Sequence, residues 1–153
     1  MSAVADRLAE LGLGLPPVAK PLAAYVPAVV SGNLVFTAGQ LPMVEGALPA
    51  TGKLGGSVST EDGTAFARIA VLNALAAAES VIGSLDRVTR VVKVVVFVAS
   101  TPDFTAQPAV ANGASELLGQ IFGDAGAHVR SAVGVSVLPI DAPVEVELVL
   151  EFA

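Results

Sequence analysis

An α+β fold, with two main helices packed on one face of a mixed sheet, is what this sequence predicts. Three stretches carry that expectation. Residues 59–83 place apolar side chains at helical spacing, residues 88–99 are almost continuously β-branched, and residues 144–152 alternate between apolar and mostly acidic positions.

In chain order, Ser2 to Leu11 carries Val4, Leu8 and Leu11 at helical spacing, with Gly12 and Gly14 to end a short helix. Pro16, Pro17 and Pro21 then impose an extended connection. Val26 to Val30 and Leu34 to Thr37 read as two strands joined at Ser31-Gly32-Asn33, a hairpin signal. From Gln40 to Gly56 the Gly, Pro and Thr content predicts a long loop with few apolar anchors. A helix should start near Ser59 or Thr60, with Glu61 and Asp62 in its first turn, and stop before Gly83. Phe66, Ile69, Leu72, Leu75 and Ala76 would form its buried face. Val88 to Ala99 follows as a strand covered on both faces. Pro108 suits the first position of a second helix that runs to about Phe122 and is closed by Gly123. Ser131 to Leu138 is a strand broken by Pro139. In the last strand, Val144 to Phe152, Glu145 and Glu147 face away from the Val/Leu side.

At 153 residues the chain is expected to be a single domain, residues 1–153, with an N-terminal helical extension over about residues 1–21. Hydrophobic residues make up 54% and charged residues 14%, against a usual charged share of about a quarter. So few charges leave apolar surface for a neighbouring copy to cover, so an oligomer is expected. No apolar run approaches the roughly 18–20 residues of a membrane span, and the start lacks the order of a secretory signal, leaving the cytoplasm as the default location. The absence of cysteine excludes thiol catalysis and disulfides. A net charge of −6 with scattered Lys and Arg argues against nucleic acid as a partner.

Most familiar catalytic constellations are missing. His128 is the only histidine, which excludes a multi-His metal site, and it reads as a lone surface residue. The serines, Ser115 among them, have no nucleophile context, and Gly52 to Gly56 lacks the Lys-Ser/Thr of a phosphate loop. What remains is Arg130 and the glutamates of the last strand. Arg130, at the mouth of an apolar strand, offers a planar fork that matches a carboxylate; the bland alternative pairs it with Asp124 or Glu147. Glu145 and Glu147 are either a solvated face or, in an oligomer, the lining of a cleft that raises a carboxyl pKa. Tyr25, the only tyrosine, reads from its surroundings as plain core.

Two separated motifs resemble the RidA/YjgF family, also called the endoribonuclease L-PSP family. One runs Arg130-Ser131-Ala132-Val133-Gly134-Val135 through Leu138-Pro139 to Val144-Glu145-Val146-Glu147. The other is Tyr25-Val26 followed by Ser31-Gly32-Asn33-Leu34-Val35-Phe36-Thr37-Ala38-Gly39-Gln40-Leu41-Pro42. Lys93 to Val98, Asp103-Phe104 and Asn112 fit the family's middle portion, and the likeness covers about Leu22 to the C-terminus.

The resemblance implies a chorismate-mutase-like fold assembled as a homotrimer with ligand pockets between subunits. It implies hydrolysis of reactive 2-imino or enamine acids to 2-keto acids and ammonia, with no cofactor and no metal. Arg130 would hold the ligand carboxylate and Glu145 would position or activate water. Tyr25, Ala38, Gly39, Asn112 and Ala132 would complete the substrate-binding set. The chain departs from the typical member at two of these, with Ala38 where a serine is usual and Ala132 where a cysteine is common. A non-catalytic trimer that binds a small carboxylate is the alternative. An endoribonuclease fits the acidic charge less well.

Overall fold

The structure, a computed structural model, describes residues 2–153. The expected elements form in the expected order: α1 (Ala3–Glu10), β1 (Ala28–Ser31), β2 (Leu34–Thr37), α2 (Thr60–Ile82), β3 (Val88–Ala99), α3 (Gln107–Phe122), β4 (Val129–Val135) and β5 (Val144–Phe152). The strands make one five-stranded sheet in the order β1-β2-β5-β3-β4. All neighbours are antiparallel except β3 and β4. α2 and α3 lie together on one face of it. This is the mixed α+β arrangement that the residue patterns predict.

β5 inserts between β2 and β3, and its period of two sets the two faces of the sheet. Val144, Val146, Leu148 and Leu150 are buried beneath the helices beside Val91, Val94, Val96 and Val98 of β3. Glu145, Glu147 and Val149 pair with Phe97, Val95 and Lys93 on the other face, which no helix of this chain covers. The expectation that β3 is covered on both faces is therefore corrected. Only the C-terminal end of β3 has cover on the second side, where Ala99 and Phe97 pack with Leu41, Leu138 and Ala142; along the rest of that face the residual hydrophobicity comes from Val95, Val149 and the exposed Val29 and Phe36.

β1 starts at Ala28 rather than Val26. Pro27 has no N–H to donate, so the ladder begins after it. Gly32 takes φ +61° in the two-residue turn to β2, a conformation that suits glycine. β4 begins earlier than Ser131 and ends at Val135, short of Leu138, because its partner β3 ends at Ala99, opposite Val135.

The loop from Gln40 to Gly56 is better tied than its composition suggests. Gln40 and Val146 exchange backbone hydrogen bonds at 2.8 and 2.9 Å, Leu54 N donates to Ala99 O at 2.8 Å, and the Leu54 side chain is fully buried. The expectation of few apolar anchors fails because Leu41 and Leu54 point inward from an irregular backbone.

Ser59 caps α2, its side chain accepting from Asp62 N at 3.1 Å, and Gly83 closes the helix at φ +87°. Every residue from Val71 to Ala78 is buried. The helix is covered by the sheet, by α3, and by the loop whose Leu41 and Met43 carbonyls both accept from Asn73 Nδ2 at 3.0 Å. Phe66 and Ile69 sit at the flank instead of the centre of the buried face. One 18-residue window of α2 has a mean hydropathy of 1.6, enough by length and composition to cross a membrane, but 61% of that window is buried within the fold. The expectation that no stretch reaches this length is corrected. The apolarity of α2 goes into the core instead.

α1 docks rather than projecting freely. Val4 and Leu8 are buried, Val4 N donates to Asp86 Oδ1 at 2.9 Å, and Arg7 Nε donates to Gln120 O at 2.7 Å. The Val4 N–H holds the Asp86 carboxyl below its usual range, with Ser2 assisting.

α2 and α3 approach closely because Gly113 has no side chain: a Cβ there would overlap the carbonyl oxygen of Thr64. Backbone cannot yield as a side chain can. Gly113→Ala is therefore expected to destabilise the protein by about 1–3 kcal/mol or more, read from urea unfolding midpoints at unchanged m. An unchanged midpoint would mean that the helices separate freely.

Candidate functional site

β4 is the outer partner of β3, and its parallel register sets Arg130 opposite Val94, on the helix-covered face. From there the guanidinium reaches α3. Nη1 donates to Asn112 Oδ1 at 2.8 Å and to Ser115 Oγ at 3.1 Å, and Nη2 approaches Pro108 O at 3.5 Å. Asn112 and Ser115 are three residues apart on α3 and so share a face. Ala132, two residues beyond Arg130, lies on the same side of β4.

Every partner of Arg130 is neutral. Among the described residues the ion pair within 4 Å is Arg7 with Glu10, so neither Asp124 nor Glu147 pairs with Arg130. The bland reading of Arg130 as half of a structural salt bridge is overturned. A permanently charged, half-buried guanidinium held by acceptors of no net charge is left with its charge uncompensated.

His128 and Ser115 complete the cradle. Ser115 Oγ lies 2.9 Å from His128 Nε2, and His128 Nδ1 lies 2.6 Å from Gly126 O. A carbonyl only accepts, so Nδ1 carries a hydrogen, and in the neutral ring Nε2 then accepts from the Ser115 hydroxyl. The sequence reading passed over both residues, treating His128 as a lone surface side chain and Ser115 as lacking context. Only the docking of β4 along α3 joins them. Two local signals were present: Asn112 and Ser115 at helical spacing, and His128 and Arg130 two apart in extended chain.

Glu145 stands elsewhere. It pairs with Phe97 on the uncovered face, three register positions along β3 from Val94, or roughly 14 Å from Arg130 between Cα atoms by strand spacing. Its carboxylate rests over Gly39: a Cβ there would lie 2.6 Å from Glu145 Oε2. Burial raises the Glu145 pKa above the usual carboxylate value, and the charge of Glu147 raises it further. Glu145 is thus poised to hold a proton more readily than an exposed glutamate.

Tyr25 is exposed, and its hydroxyl accepts from Leu22 N at 3.3 Å, so the expectation of plain core fails. Ala38 N donates to Pro27 O at 2.8 Å, continuing the hairpin pairing. Tyr25 and Gly39 line a cavity of about 540 Å³, between the proline-rich arm and the Gln40–Met43 segment, with Asn73 as its floor. Neither Arg130 nor Glu145 lines it. One chain therefore groups the candidate residues in two clusters, Arg130, Asn112 and Ala132 at the β4 edge, and Glu145, Gly39, Ala38 and Tyr25 around the end of β2.

The family model described as "YjgF/chorismate mutase-like, putative endoribonuclease" matches residues 5–152. Protein TCP17 of Trypanosoma cruzi is 46% identical over 149 residues, covering 97% of this chain and 93% of that protein. The crystal structure of Atu1372 from Agrobacterium tumefaciens superposes with a TM-score of 0.91 at 39% identity, over 99% of this chain and 94% of that one. TdcF of E. coli, solved with bound serine, gives a TM-score of 0.65 at 25% identity, over 89% of this chain and 94% of that one.

The raised pKa of Glu145 has a consequence for stability. A carboxyl whose folded pKa lies above its unfolded one favours the folded state when protonated, and that contribution is lost as pH rises through the folded value. Glu145→Gln should therefore raise the melting temperature at pH 7 relative to wild type, with the gain vanishing below the ordinary glutamate range. A gain that persists at pH 3 would mean the stabilisation has another source.

Proposed function

Because the chain belongs to the YjgF/chorismate mutase-like family, we propose that it hydrolyses small 2-imino or enamine acids to 2-keto acids and ammonia. The pocket would lie between copies of the chain in a homotrimer. The observation that carries this reading is the uncompensated charge of Arg130, which is buttressed by neutral acceptors and so is available to a ligand carboxylate. The serine bound to TdcF is a small amino acid with such a carboxylate, which supports the same ligand class here.

Arg130 would anchor the carboxylate through paired charge-assisted hydrogen bonds and so orient the adjacent C=N carbon. An iminium carbon is already electrophilic, so one proton relay suffices. Glu145 takes a proton from water as the water oxygen bonds to that carbon. It then delivers that proton to nitrogen and, as the C–N bond breaks, takes the hydroxyl proton, leaving the keto oxygen; the released ammonia picks up this proton from the carboxyl and departs as ammonium, which restores the carboxylate. A carboxyl with a raised pKa suits a group that must both accept and donate. Tyr25, Gly39 and the small side chains of Ala38 and Ala132 would shape the space around the ligand. In such a site no cofactor is required, and the matching location is the cytoplasm.

An intersubunit pocket is supported by the separation of Arg130 from Glu145 within one chain. It is also supported by Val29, Phe36, Val129 and Val133, which are large, apolar and exposed on the uncovered sheet face and its edges. A non-catalytic carboxylate-binding trimer is the second reading, favoured by Ala38 and Ala132, where the hydroxyl and thiol of typical members are replaced by methyl groups. The word endoribonuclease stands in the family's description, but a chain of net charge −6 lacks the electrostatic footprint for RNA.

Turnover of a freshly generated imino acid separates the first two readings. Arg130→Ala should weaken carboxylate binding by about 30-fold or more, from the roughly 2–5 kcal/mol lost with a charge-assisted pair. Arg130→Lys should fail as well, since a point charge does not reproduce the fork. Glu145→Gln should still bind while hydrolysis is lost. If Arg130→Ala dissociates or unfolds the protein with affinity per folded site unchanged, the arginine is structural. Light scattering should give three copies, and a monomer at micromolar concentration would remove the intersubunit pocket.

A further inference from the structure

We propose that Ser115 and His128 are positioning residues that lock the guanidinium of Arg130, so that only its Nε/Nη2 edge is open to a ligand carboxylate. This deepens the carboxylate-binding reading and rests on it for the ligand.

Gly126 O, 2.6 Å from His128 Nδ1, can only accept, so it fixes the tautomer of the neutral imidazole, the form the lock requires, with a lone pair on Nε2. That lone pair, 2.9 Å from Ser115 Oγ, takes the hydroxyl hydrogen. With its hydrogen committed, Ser115 Oγ presents lone pairs to Arg130, and Nη1 donates to it at 3.1 Å. Nη1 donates a second time, to Asn112 Oδ1 at 2.8 Å. Both hydrogens of Nη1 are thereby used, and the end-on edge formed by Nη1 and Nη2 has lost one of its two donors.

The side-on edge is in the opposite condition. Nε makes no hydrogen bond among the described residues, and Nη2 has only the long approach to Pro108 O at 3.5 Å. A carboxylate that makes two parallel bonds to a guanidinium must therefore use Nε and Nη2. With both Nη1 hydrogens held, the end-on edge opens only if Nη1 gives up a protein bond, whereas the side-on edge carries no short protein bond. His128 acts through Ser115, since with the imidazole removed the hydroxyl hydrogen is free to turn toward Arg130 and the oxygen stops being a dedicated acceptor.

Nitrogen-15 NMR of the folded, ligand-free protein tests the lock directly. The expected result is His128 with Nδ1 protonated and Nε2 bare, and separately resolved Nη1 hydrogens on Arg130 that merge by fast rotation in Ser115→Ala. Titration with pyruvate should then shift the Arg130 Nε–H signal downfield and leave the Nη1 signals in place. Ser115→Ala and His128→Ala should each weaken pyruvate binding by about tenfold, as expected for a lost hydrogen bond to a charged group. The double variant should be no weaker than Ser115→Ala alone, and Ser115→Thr, which keeps the hydroxyl, should bind as wild type does. A proton on Nε2 in the free protein, unchanged Nη1 rotation in Ser115→Ala, or additive losses in the double variant would each overturn the lock. The expected signals in free protein with no response to pyruvate would support the lock and instead remove the reading of Arg130 as a carboxylate anchor.

Discussion

The antiparallel pairing of β5 with β3 is the constraint on which the rest of the molecule depends. β5 is the middle strand of the sheet, and its alternation decides what each face must be. One set of its side chains forms the floor beneath α2, while α3 lies over β3 and β4. The other set carries Glu145 and Glu147 onto the face that neither α2 nor α3 covers. A slip of one residue would bury three carboxylates under the helices and expose four large aliphatic groups, so the register has no nearby competitor. β2 and the Gln40 segment are hung from one edge of β5, β3 carries β4 on its far side, and both candidate clusters inherit their positions from that arrangement.

The two charged groups of interest are handled in opposite ways. Arg130 is permanently ionised, and its environment supplies oriented dipoles without a counter-charge: a side-chain amide, a hydroxyl relayed to an imidazole, and a backbone carbonyl. Such a cradle preserves geometry while leaving the net charge available, whereas a carboxylate partner would have neutralised it. Glu145 is instead partly desolvated beside a second glutamate, which biases it toward the protonated form. An anchor that never changes charge and a carboxyl that changes charge easily are complementary demands of imine hydrolysis. Neither could perform the other's task.

Atu1372 superposes almost throughout, and TdcF superposes over the shared core at a lower TM-score. α1, which precedes the motifs shared with the wider family, is bound into this fold by Asp86, Gln120 and the burial of Val4 and Leu8. The proline-rich arm that follows it walls the cavity lined by Tyr25 and Gly39. Ala38 and Ala132 stand as methyl groups where the resemblance leads one to expect a hydroxyl and a thiol, so the proposed reaction would rest on Arg130, Glu145 and water.

The elements were legible from sequence wherever one physical signal dominated. Ser59 and Gly83 bounded α2 because a cap and a residue with positive φ are local requirements, and Val144 to Phe152 declared both its conformation and its two faces through period-two alternation. Arg130 and Glu145 were legible as candidates because ionisable groups beside apolar strands need an account of their charge. Four things were decided only in three dimensions. Pro27 and the end of β3 trimmed strands whose propensities ran further. Leu41 and Leu54 anchored a loop that composition marks as free. α2 was surrounded on three sides, so its apolar residues gave little sense of a single face. The pairing of Ser115 with His128, thirteen residues apart in different elements, had no sequence signature because a hydrogen bond between distant side chains depends on how a helix and a strand dock. What the chain specifies by itself is the local conformation and the inside and outside of each element; which polar groups then meet is set by packing, because packing alone fixes distances between residues that no local rule connects.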